Sequence, residues 1–326
     1  MNKDMRFLWV DDNPARIEDA KNLEDALKIT VDFKDVNKKD LDNILGKIKT
    51  EAAPNLIIMD HSLDLSESET YKTGSTAAAY LHEVWPDCPI ISVTAVDIND
   101  VDIRHRSAYE TMIPANRISQ NYETILSIAE GFVSLKEKHP KDVESLLMMF
   151  KPPKDTVEKL KKILPKELKE NFEDQSLLLE VYRWSVSVLF DRPGFLYDEL
   201  WAATFLGLNI KGFNLIKDQM SAAKYIGVFS DKSKERWWKD LLLEELARIT
   251  GDVGLPWEIG HKLVGAKKEY FSKCFASAEY YPETVAAEDM TYDAKWYPMK
   301  LKYTEPHPSY EDMLFFEELR IMKPAE

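Results

Sequence analysis

Cysteine is scarce in this chain of 326 residues, which contains only Cys88 and Cys274. Two cysteines so far apart in the sequence cannot form a disulfide framework, and this usage is typical of a protein in a reducing compartment. Long apolar runs are also missing: none approaches the ~20 residues that span a membrane, and the N-terminus has no apolar signal core. We therefore expect a cytoplasmic protein that does not enter a membrane.

Basic residues are outnumbered by acidic ones, with 43 Lys and Arg against 57 Asp and Glu and a net charge of -14. Sequence-independent binding to nucleic acid depends on basic side chains that neutralise phosphates, so this balance argues against such binding. Hydrophobic residues make up 44% of the chain and charged residues 31%, which is ordinary for a soluble globular protein. The length favours two domains over one.

Short apolar segments alternate with amphipathic ones in the first part of the chain. Patterns typical of strands occur at 6–10, 29–36, 56–59, 90–93 and, most weakly, 112–117. Helical spacing of apolar residues occurs at 14–27, 40–52, 74–84 and 122–138. This alternation predicts an α/β fold with a doubly wound, parallel five-stranded sheet.

Acidic side chains end two of these predicted strands. Asp11 and Asp12 follow the first strand, and Asp60 follows the third. Ligands of open α/β sheets bind outside the carboxyl ends of the strands, so these acids are positioned for chemistry. Carboxylates that meet there repel one another unless a cation lies between them, and Mg²⁺ prefers such oxygen ligands. The sequence therefore predicts a magnesium site at this edge of the sheet.

Three motifs at the strand ends resemble a known family. VDDNP (10–14) follows the first strand, MD (59–60) ends the third, and PIISVTA (89–95) is a buried strand that ends on the hydroxyl of Thr94. In this order they resemble the receiver domain of two-component response regulators. The resemblance covers roughly the first 135 residues and does not extend to the remainder.

The resemblance implies a role for each polar residue at these strand ends. Asp60 is the residue that accepts a phosphoryl group from a histidine kinase or a phosphotransfer protein, and Thr94 is the hydroxyl that moves toward it. The implied ligands of Mg²⁺ are Asp11, Asp12, Asp60 and Ser62.

The family also carries a lysine at the end of its last strand, usually followed by proline, and this sequence departs from that pattern. No lysine lies between Lys72 and Lys136, and the best-placed cation is Arg117. Arginine pairs with phosphoryl oxygens through a planar fork rather than a compact ammonium group. Two interpretations stay open: a phosphorylation switch that uses Arg117, and a degenerate receiver that serves as a docking or dimerisation module.

Prolines at 140 and 152–153 predict a linker at 139–154 between a first domain at 1–138 and a second domain at 155–326. Helical spacing dominates beyond the linker, at 157–164, 175–190, 195–206, 213–220, 234–249 and 258–275. The last forty or so residues suggest an extended segment and a short helix at 310–322. We therefore expect a mostly α-helical output domain.

Residues 200–220 have the spacing of a helix-turn-helix, which any short helical hairpin shares. The residues that would seat its helices are Ala203, Gly207, Phe213 and Ile216, and those on its recognition helix are Lys211, Asn214, Lys217 and Gln219. Elsewhere in this domain, the RWWK sequence at 236–239 is the best candidate for an exposed, partner-facing patch. Glu258, His261 and His307 match no firm zinc pattern.

Three classes of function follow from these observations. The chain is a phosphorylation-switched module whose helical domain binds a protein partner, a DNA-binding transcriptional regulator, or an enzyme with an unrecognised site in the second domain. The first class agrees best with the acidic charge and the strand-end motifs. In that class the chain modifies itself at Asp60 and is no enzyme toward a metabolite, and a homodimer is compatible with it.

Overall fold

The computed structural model describes residues 5–36, 46, 52–63, 73–170, 172, 174, 176–191, 194–251, 254–274, 278–280, 284–288 and 296–300. The predicted helix at 310–322, the predicted helix at 40–52 apart from residues 46 and 52, and most of the polar loop at 62–73 lie outside these residues. The chain forms two compact units that interleave in the sequence. Unit 1 comprises Met1–Asp142, Lys166–Arg183 and Val228–Ser233, and unit 2 comprises Val143–Pro165, Trp184–Gly227 and Lys234–Glu326. The domain boundaries at 138 and 155 stay a prediction.

Unit 1 is built on five parallel strands. They are β1 (Arg6–Asp11), β2 (Thr30–Asp35), β3 (Leu56–Asp60), β4 (Ile90–Thr94) and β5 (Thr111–Pro114). Their order in the sheet is β2-β1-β3-β4-β5, with every neighbouring pair parallel. Four consecutive residues of β1 and four of β3 are fully buried, because both faces of the sheet are covered. The predicted doubly wound, flavodoxin-like fold is confirmed.

The helices of the first part of unit 1 are α1 (Arg16–Leu27), α2 (Gly74–Val84), α3 (Ile103–Arg106) and α4 (Tyr122–Lys138). Two 3-10 helices occur at Ile98–Asp100 and Ala115–Asn121. The predicted strand at 112–117 is wrong at its end, because β5 stops at Pro114 and the chain turns at once into the second 3-10 helix. Arg117 therefore lies on that helix rather than on the strand.

The remaining elements are mostly helical, as predicted. They are α5 (Val143–Met148), α6 (Lys154–Ile163), α7 (Glu167–Glu170), α8 (Leu177–Trp184), a π-helix (Ser185–Phe190), β6 (Leu196–Tyr197), α9 (Glu199–Phe205), α10 (Ile210–Ile216), a 3-10 helix (Lys217–Ala223), β7 (Trp237–Trp238), α11 (Lys239–Thr250), α12 (Pro256–Leu263), a 3-10 helix (Lys268–Tyr270), β8 (Thr284–Glu288) and β9 (Trp296–Lys300). The antiparallel pairs β6–β7 and β8–β9 were not evident from the sequence pattern.

The predicted exposed patch at 236–239 is wrong. Trp237 and Trp238 form β7 and are only 2% and 1% exposed. Trp237 packs edge-on against Phe213 with ring centroids 5.0 Å apart, and Trp238 packs against Tyr225 at 5.7 Å. Two adjacent tryptophans are thus buried in the core of unit 2, where large aromatic area stabilises most.

Three aromatic rings from distant parts of the chain meet in unit 1. Phe132 of α4 lies 5.8 Å from the ring of Tyr182 in α8 and 5.4 Å from that of Phe229, and the last two rings are 5.0 Å apart. Gly131 makes room for this cluster, because a Cβ at that position would collide with the ring of Phe229. The segments 166–183 and 228–233 are therefore part of the packing of unit 1.

Candidate functional site

The polar residues at the carboxyl edge of the sheet lie on three adjacent strands. Val10 of β1 pairs with Met59 of β3, so that Asp11 and Asp60, each one residue further on, end their strands at the same level. Thr94 ends β4 on the other side of β3. One carboxylate oxygen from each of Asp11, Asp12 and Asp60 lies within 4.8 Å of the others. The structure thus brings together the three acids that the sequence singled out.

Asp11 is held in place by its own strand and the turn after it. It is only 2% exposed, and its oxygens accept hydrogen bonds from the Trp9 indole Nε1 at 3.2 Å and the Asn13 backbone N–H at 2.9 Å. Burial raises the pKa of Asp11, and the nearby charge of Asp12 raises it further, against the hydrogen bonds and Arg16. An oriented, partly desolvated carboxylate of this kind favours a cation beside it.

Asp60 has the more strongly perturbed carboxyl group. Its Oδ1 accepts a hydrogen bond from the backbone N–H of Ser62 at 3.1 Å. Burial, followed by the charges of Asp11 and Asp12, raises the pKa of Asp60 from 3.8 to about 6, against the Ser62 hydrogen bond and Arg16. At pH 7 ionised carboxylates still outnumber protonated ones by about ten to one. Asp60 is therefore available as a nucleophile near neutral pH.

The acidic cluster of Asp11, Asp12 and Asp60 fits a hard divalent cation. Its donors are all carboxylate oxygens, which Mg²⁺ accepts together with water and phosphate oxygens. Burial first, and then the charges of neighbouring acids, raise the pKa values of Asp11 and Asp60, and a bound cation would favour their ionised forms. Ser62 is exposed and uses its N–H on Asp60, and its role as a ligand stays a prediction. Within the described residues, no other group of three His, Cys, Asp or Glu side chains converges in this way.

Thr94 is almost completely buried, with 1% of its surface exposed. Its hydroxyl oxygen accepts a hydrogen bond from the backbone N–H of Val96 at 3.1 Å, which leaves the hydroxyl proton available as a donor. A hydroxyl at the end of β4, beside the strand that carries Asp60, is a suitable donor for an oxygen atom bound near Asp60.

Arg16 is a positive charge that acts on the acidic cluster, and the sequence analysis did not identify it. Arg16, the first residue of α1, lowers the pKa of both Asp11 and Asp60, and its guanidinium pairs with Asp19 at 2.7 Å. At the end of β5, the residue before Pro114 is the buried, apolar Ile113 and not a lysine. Arg117 lies three residues beyond Pro114 and is exposed. The signal for Arg16 was available: α1 begins beyond the carboxyl end of β1, so its first turn lies beside the sheet edge.

Tyr109 and the start of α2 complete the surroundings of Asp60. The Tyr109 hydroxyl lies 3.4 Å from Nδ1 of His61, and burial together with the charge of Asp60 raises the pKa of Tyr109. Gly74 begins α2 so close to β3 that a Cβ would collide with the backbone carbonyl oxygen of Asp60. Sequence reasoning missed Tyr109, because it lies in an irregular connection before β5.

The segment predicted as a helix-turn-helix contains α9, α10 and the 3-10 helix Lys217–Ala223, so Lys217 and Gln219 lie beyond α10, and its role in DNA binding stays a prediction. Ala203, Phe213 and Ile216 are buried, as such a hairpin requires, and Gly207 adopts a positive φ of 66° in the turn. The exposed candidates for recognition are Lys211, Asn214 and Gln219. Lys217 instead lies 3.6 Å from Glu199 and 3.7 Å from Glu235, so two carboxylates already offset its charge.

His261 has a structural environment rather than that of a metal ligand. Its Nε2 lies 2.9 Å from the carbonyl oxygen of Gly207, and its ring stacks on Phe271 with centroids 3.6 Å apart. Burial lowers the pKa of His261, which favours the neutral ring. Glu258 is exposed, and His307 lies outside the described residues. None of the described helices has the length and apolar character needed to cross a bilayer.

Comparisons with known proteins found likeness in structure. No family model and no curated protein matches the chain. The signal receiver domain of an HD domain-containing protein from Pseudomonas fluorescens Pf-5 is similar with 16% identity and a TM-score of 0.33, over 42% of this chain and 96% of that chain. A two-component response regulator from Clostridium difficile is similar with 19% identity and a TM-score of 0.30, over 37% and 95%. The response regulator TrrA from Thermotoga maritima, in complex with Mg²⁺ and BeF, is similar with 17% identity and a TM-score of 0.27, over 37% and 98%.

Proposed function

We propose that this chain is a response-regulator-like signalling protein of the cytoplasm, in which Asp60 accepts a phosphoryl group and the helical output domain binds a protein partner. The observation that carries the proposal is the convergence of Asp11, Asp12 and Asp60 within 4.8 Å at the carboxyl edge of a parallel sheet. The buried hydroxyl of Thr94 ends the next strand. The order of these residues along the chain is that of receiver domains, which they resemble.

The chemistry assigned to Asp60 is an in-line phosphoryl transfer. A carboxylate oxygen of Asp60 forms a bond to phosphorus, and the bond between phosphorus and the donor breaks, with the electron pair leaving on the donor. The donor is the phosphohistidine of a histidine kinase or phosphotransfer protein, or a small acyl phosphate. Asp60 needs no base to deprotonate it, because its pKa of about 6 leaves it mostly ionised at neutral pH.

The remaining residues of the site would stabilise the added charge. Asp11 and Asp12, with Asp60, would hold Mg²⁺, which when bound supplies positive charge to offset that of the phosphoryl oxygens. The Trp9 and Asn13 hydrogen bonds fix the orientation of Asp11 for this purpose. We propose that the hydroxyl of Thr94 donates to a phosphoryl oxygen.

Arginine would supply the fixed positive charge of the site. Arg16 already acts on the pKa of Asp60, and Arg117 is an exposed residue of the 3-10 helix that follows β5. A guanidinium can pair with two phosphoryl oxygens at once. We assign Arg117 this role as the sequence predicts it, with Arg16 as the second candidate.

The test is the intact mass of the full chain after incubation with acetyl phosphate and Mg²⁺. We expect one phosphoryl group on the unmodified chain and none on Asp60→Asn. Asp35→Asn is the matched control, because Asp35 also ends a strand of the same sheet and is exposed. An unmodified mass in all three proteins would overturn the proposal and favour the degenerate receiver used for docking or dimerisation.

The role of the helical output domain is tested by comparing the proteins that bind the phosphorylated and the unphosphorylated chain. The full chain, with and without acetyl phosphate and Mg²⁺, is used to retain proteins from the source cell, and its own mass is measured by light scattering. We expect a protein that is retained by one state only, and no such difference for Asp60→Asn. A change in mass of the chain alone would identify homodimerisation as the output.

A further inference from the structure

Glu110 is a buried carboxylate directly before β5, and its two oxygens have different partners. Its side chain is 0% exposed. Oε2 accepts a hydrogen bond from the backbone N–H of Ile90 at 2.7 Å, and Oε1 accepts one from Nη2 of Arg183 at 3.0 Å. A buried carboxylate is costly unless it is paired and hydrogen-bonded. Arg183 therefore stabilises the charge of Glu110, across 73 positions of sequence.

Arg183 also joins this pair to α8. Its Nη1 donates to Oε1 of Glu180, one turn earlier on the same helix, at 2.7 Å. The opposite face of α8 is fixed by packing, because Val181 is fully buried and Tyr182 contacts two phenylalanine rings. On the polar face of α8, Arg183 Nη2 donates to Glu110 Oε1 at 3.0 Å and to the carbonyl oxygen of Ser107 at 3.5 Å.

A cavity of about 640 Å³ borders this polar face within unit 1. Residues of α2, α3 and α8 line it, among them Ser75, His105, Glu180 and Arg183. Close-packed interiors allow few displacements, and they change between discrete arrangements rather than deforming continuously. The cavity leaves room for Arg183 and Glu180 to move, which the packed face of the helix does not have.

The residue next to Glu110 contacts His61, which follows Asp60 in the chain. Tyr109 is 5% exposed, and its hydroxyl lies 3.4 Å from His61, the residue after Asp60. A second connection runs through His105, whose ring meets that of His61 edge-on at 5.9 Å and whose Nδ1 lies 2.6 Å from Oγ of Ser75. Tyr109 thus contacts His61, next to Asp60, and the following residue, Glu110, contacts Arg183 on the polar face of α8.

We infer that the Glu110–Arg183 pair couples the state of Asp60 to α8. A phosphoryl group on Asp60 adds a charge of about -1.5 to -2 beside Tyr109. The group displaces Tyr109, and with it Glu110, so that the pair with Arg183 weakens and the polar face of α8 moves into the cavity. This inference rests on the proposed phosphorylation of Asp60, and it identifies the polar face of α8 as the part of unit 1 that responds.

The first test is hydrogen exchange of the segment 176–183 in the full chain, with and without acetyl phosphate and Mg²⁺. We expect exchange to be faster by about five-fold or more, the lower end of typical coupling factors, and no change in Asp60→Asn. Intact mass is measured on the same samples. A phosphorylated chain with unchanged exchange overturns the coupling alone, whereas an absent mass change overturns the proposed function and the coupling with it.

The second test uses the reciprocity of coupled equilibria. If occupation of Asp60 weakens the pair, then loss of the pair strengthens binding at Asp60 by the same factor. We expect Arg183→Met to bind beryllofluoride, a phosphoryl mimic, with Mg²⁺ about five-fold more tightly, and Arg183→Lys to fall between the two. Arg248→Met is the matched control, because Arg248 pairs with Glu245 on α11 in unit 2.

Double substitution separates coupling from simple damage. Glu110→Gln combined with Arg183→Met should bind beryllofluoride no more tightly than either single variant, because both remove the same pair. Retained protection of the β3 amides from hydrogen exchange in the variants shows that unit 1 is folded. Equal affinities for the unmodified chain, Arg183→Met and Arg248→Met would overturn the coupling.

Discussion

The proton on Glu110 gives the stability of unit 1 a defined pH dependence. Burial raises the pKa of Glu110 from 4.5 to about 7, against the hydrogen bond from Ile90 and the positive charge of Arg183. The folded protein therefore holds this proton more tightly than the unfolded chain does. The resulting stabilisation is complete below pH 4.5 and is lost as the pH rises to about 7.

The size of this effect follows from the two pKa values. At about 1.4 kcal/mol per pKa unit, the difference between 4.5 and about 7 changes the free energy of unfolding by about 3 kcal/mol. Glu110→Gln has no proton to lose, so its free energy of unfolding lacks this contribution at every pH. Relative to the unmodified chain, the variant should gain about 3 kcal/mol between pH 4.5 and 8, on top of a constant offset.

The assay is hydrogen exchange of the central strands at several pH values from about 5 to about 8, corrected for intrinsic exchange. Amides of β3 and β4 exchange through opening of unit 1, so they report its stability. Asp11 and Asp60 titrate in both proteins, and their contributions cancel in the difference. Glu180→Gln is the control, because Glu180 binds the same arginine with a side chain that is 52% exposed. Parallel pH curves for Glu110→Gln and the unmodified chain would refute the reasoning.

Three further predictions concern the site and the output. Gly74→Ala should lower the free energy of unfolding by about 1–3 kcal/mol and slow phosphorylation, since the new Cβ collides with the Asp60 carbonyl oxygen. Gly46→Ala is the control, because its Cβ would meet nothing within 4 Å, and it should neither lower the free energy of unfolding nor slow phosphorylation. Mg²⁺ should lower the pKa of Asp60 from about 6, so the pH midpoint of phosphorylation by acetyl phosphate should fall as Mg²⁺ is added, and a constant midpoint would contradict metal binding by the cluster. In electrophoretic shift assays at about 0.15 M salt, we expect no binding to genomic fragments, and a shift lost in Lys211→Ala with Lys217→Ala would instead support the DNA-binding alternative.

The sheet and the acidic cluster were predictable from the sequence because both depend on local pattern. Apolar runs of four or five residues that end on a carboxylate identified β1 and β3, and parallel topology then required Asp11 and Asp60 to meet at one edge. The end of β5 was not predictable in the same way. Its four residues are too few for a clear alternation, and the prediction carried the strand on to Arg117.

Contacts between distant parts of the chain left no local signal. Arg183 and Glu110 are separated by a segment with its own helices, and nothing in either neighbourhood marks the other as a partner. The burial of Trp237 was equally undetermined, because adjacent tryptophans are typical both of cores and of binding surfaces. Helical periodicity indicated which segments are helices but not which compact unit each of them joins.

The first half of the chain is not a portable module, even though it contains the whole parallel sheet. A fragment that stops at residue 138 would end without Tyr182 and Phe229, so Phe132 would lose the rings that cover it. The same cut would remove Arg183, the charged partner of Glu110. Any transplant of this domain into another protein should therefore include residues 166–183 and 228–233, and recombination between relatives should be tolerated only where both pieces are inherited together.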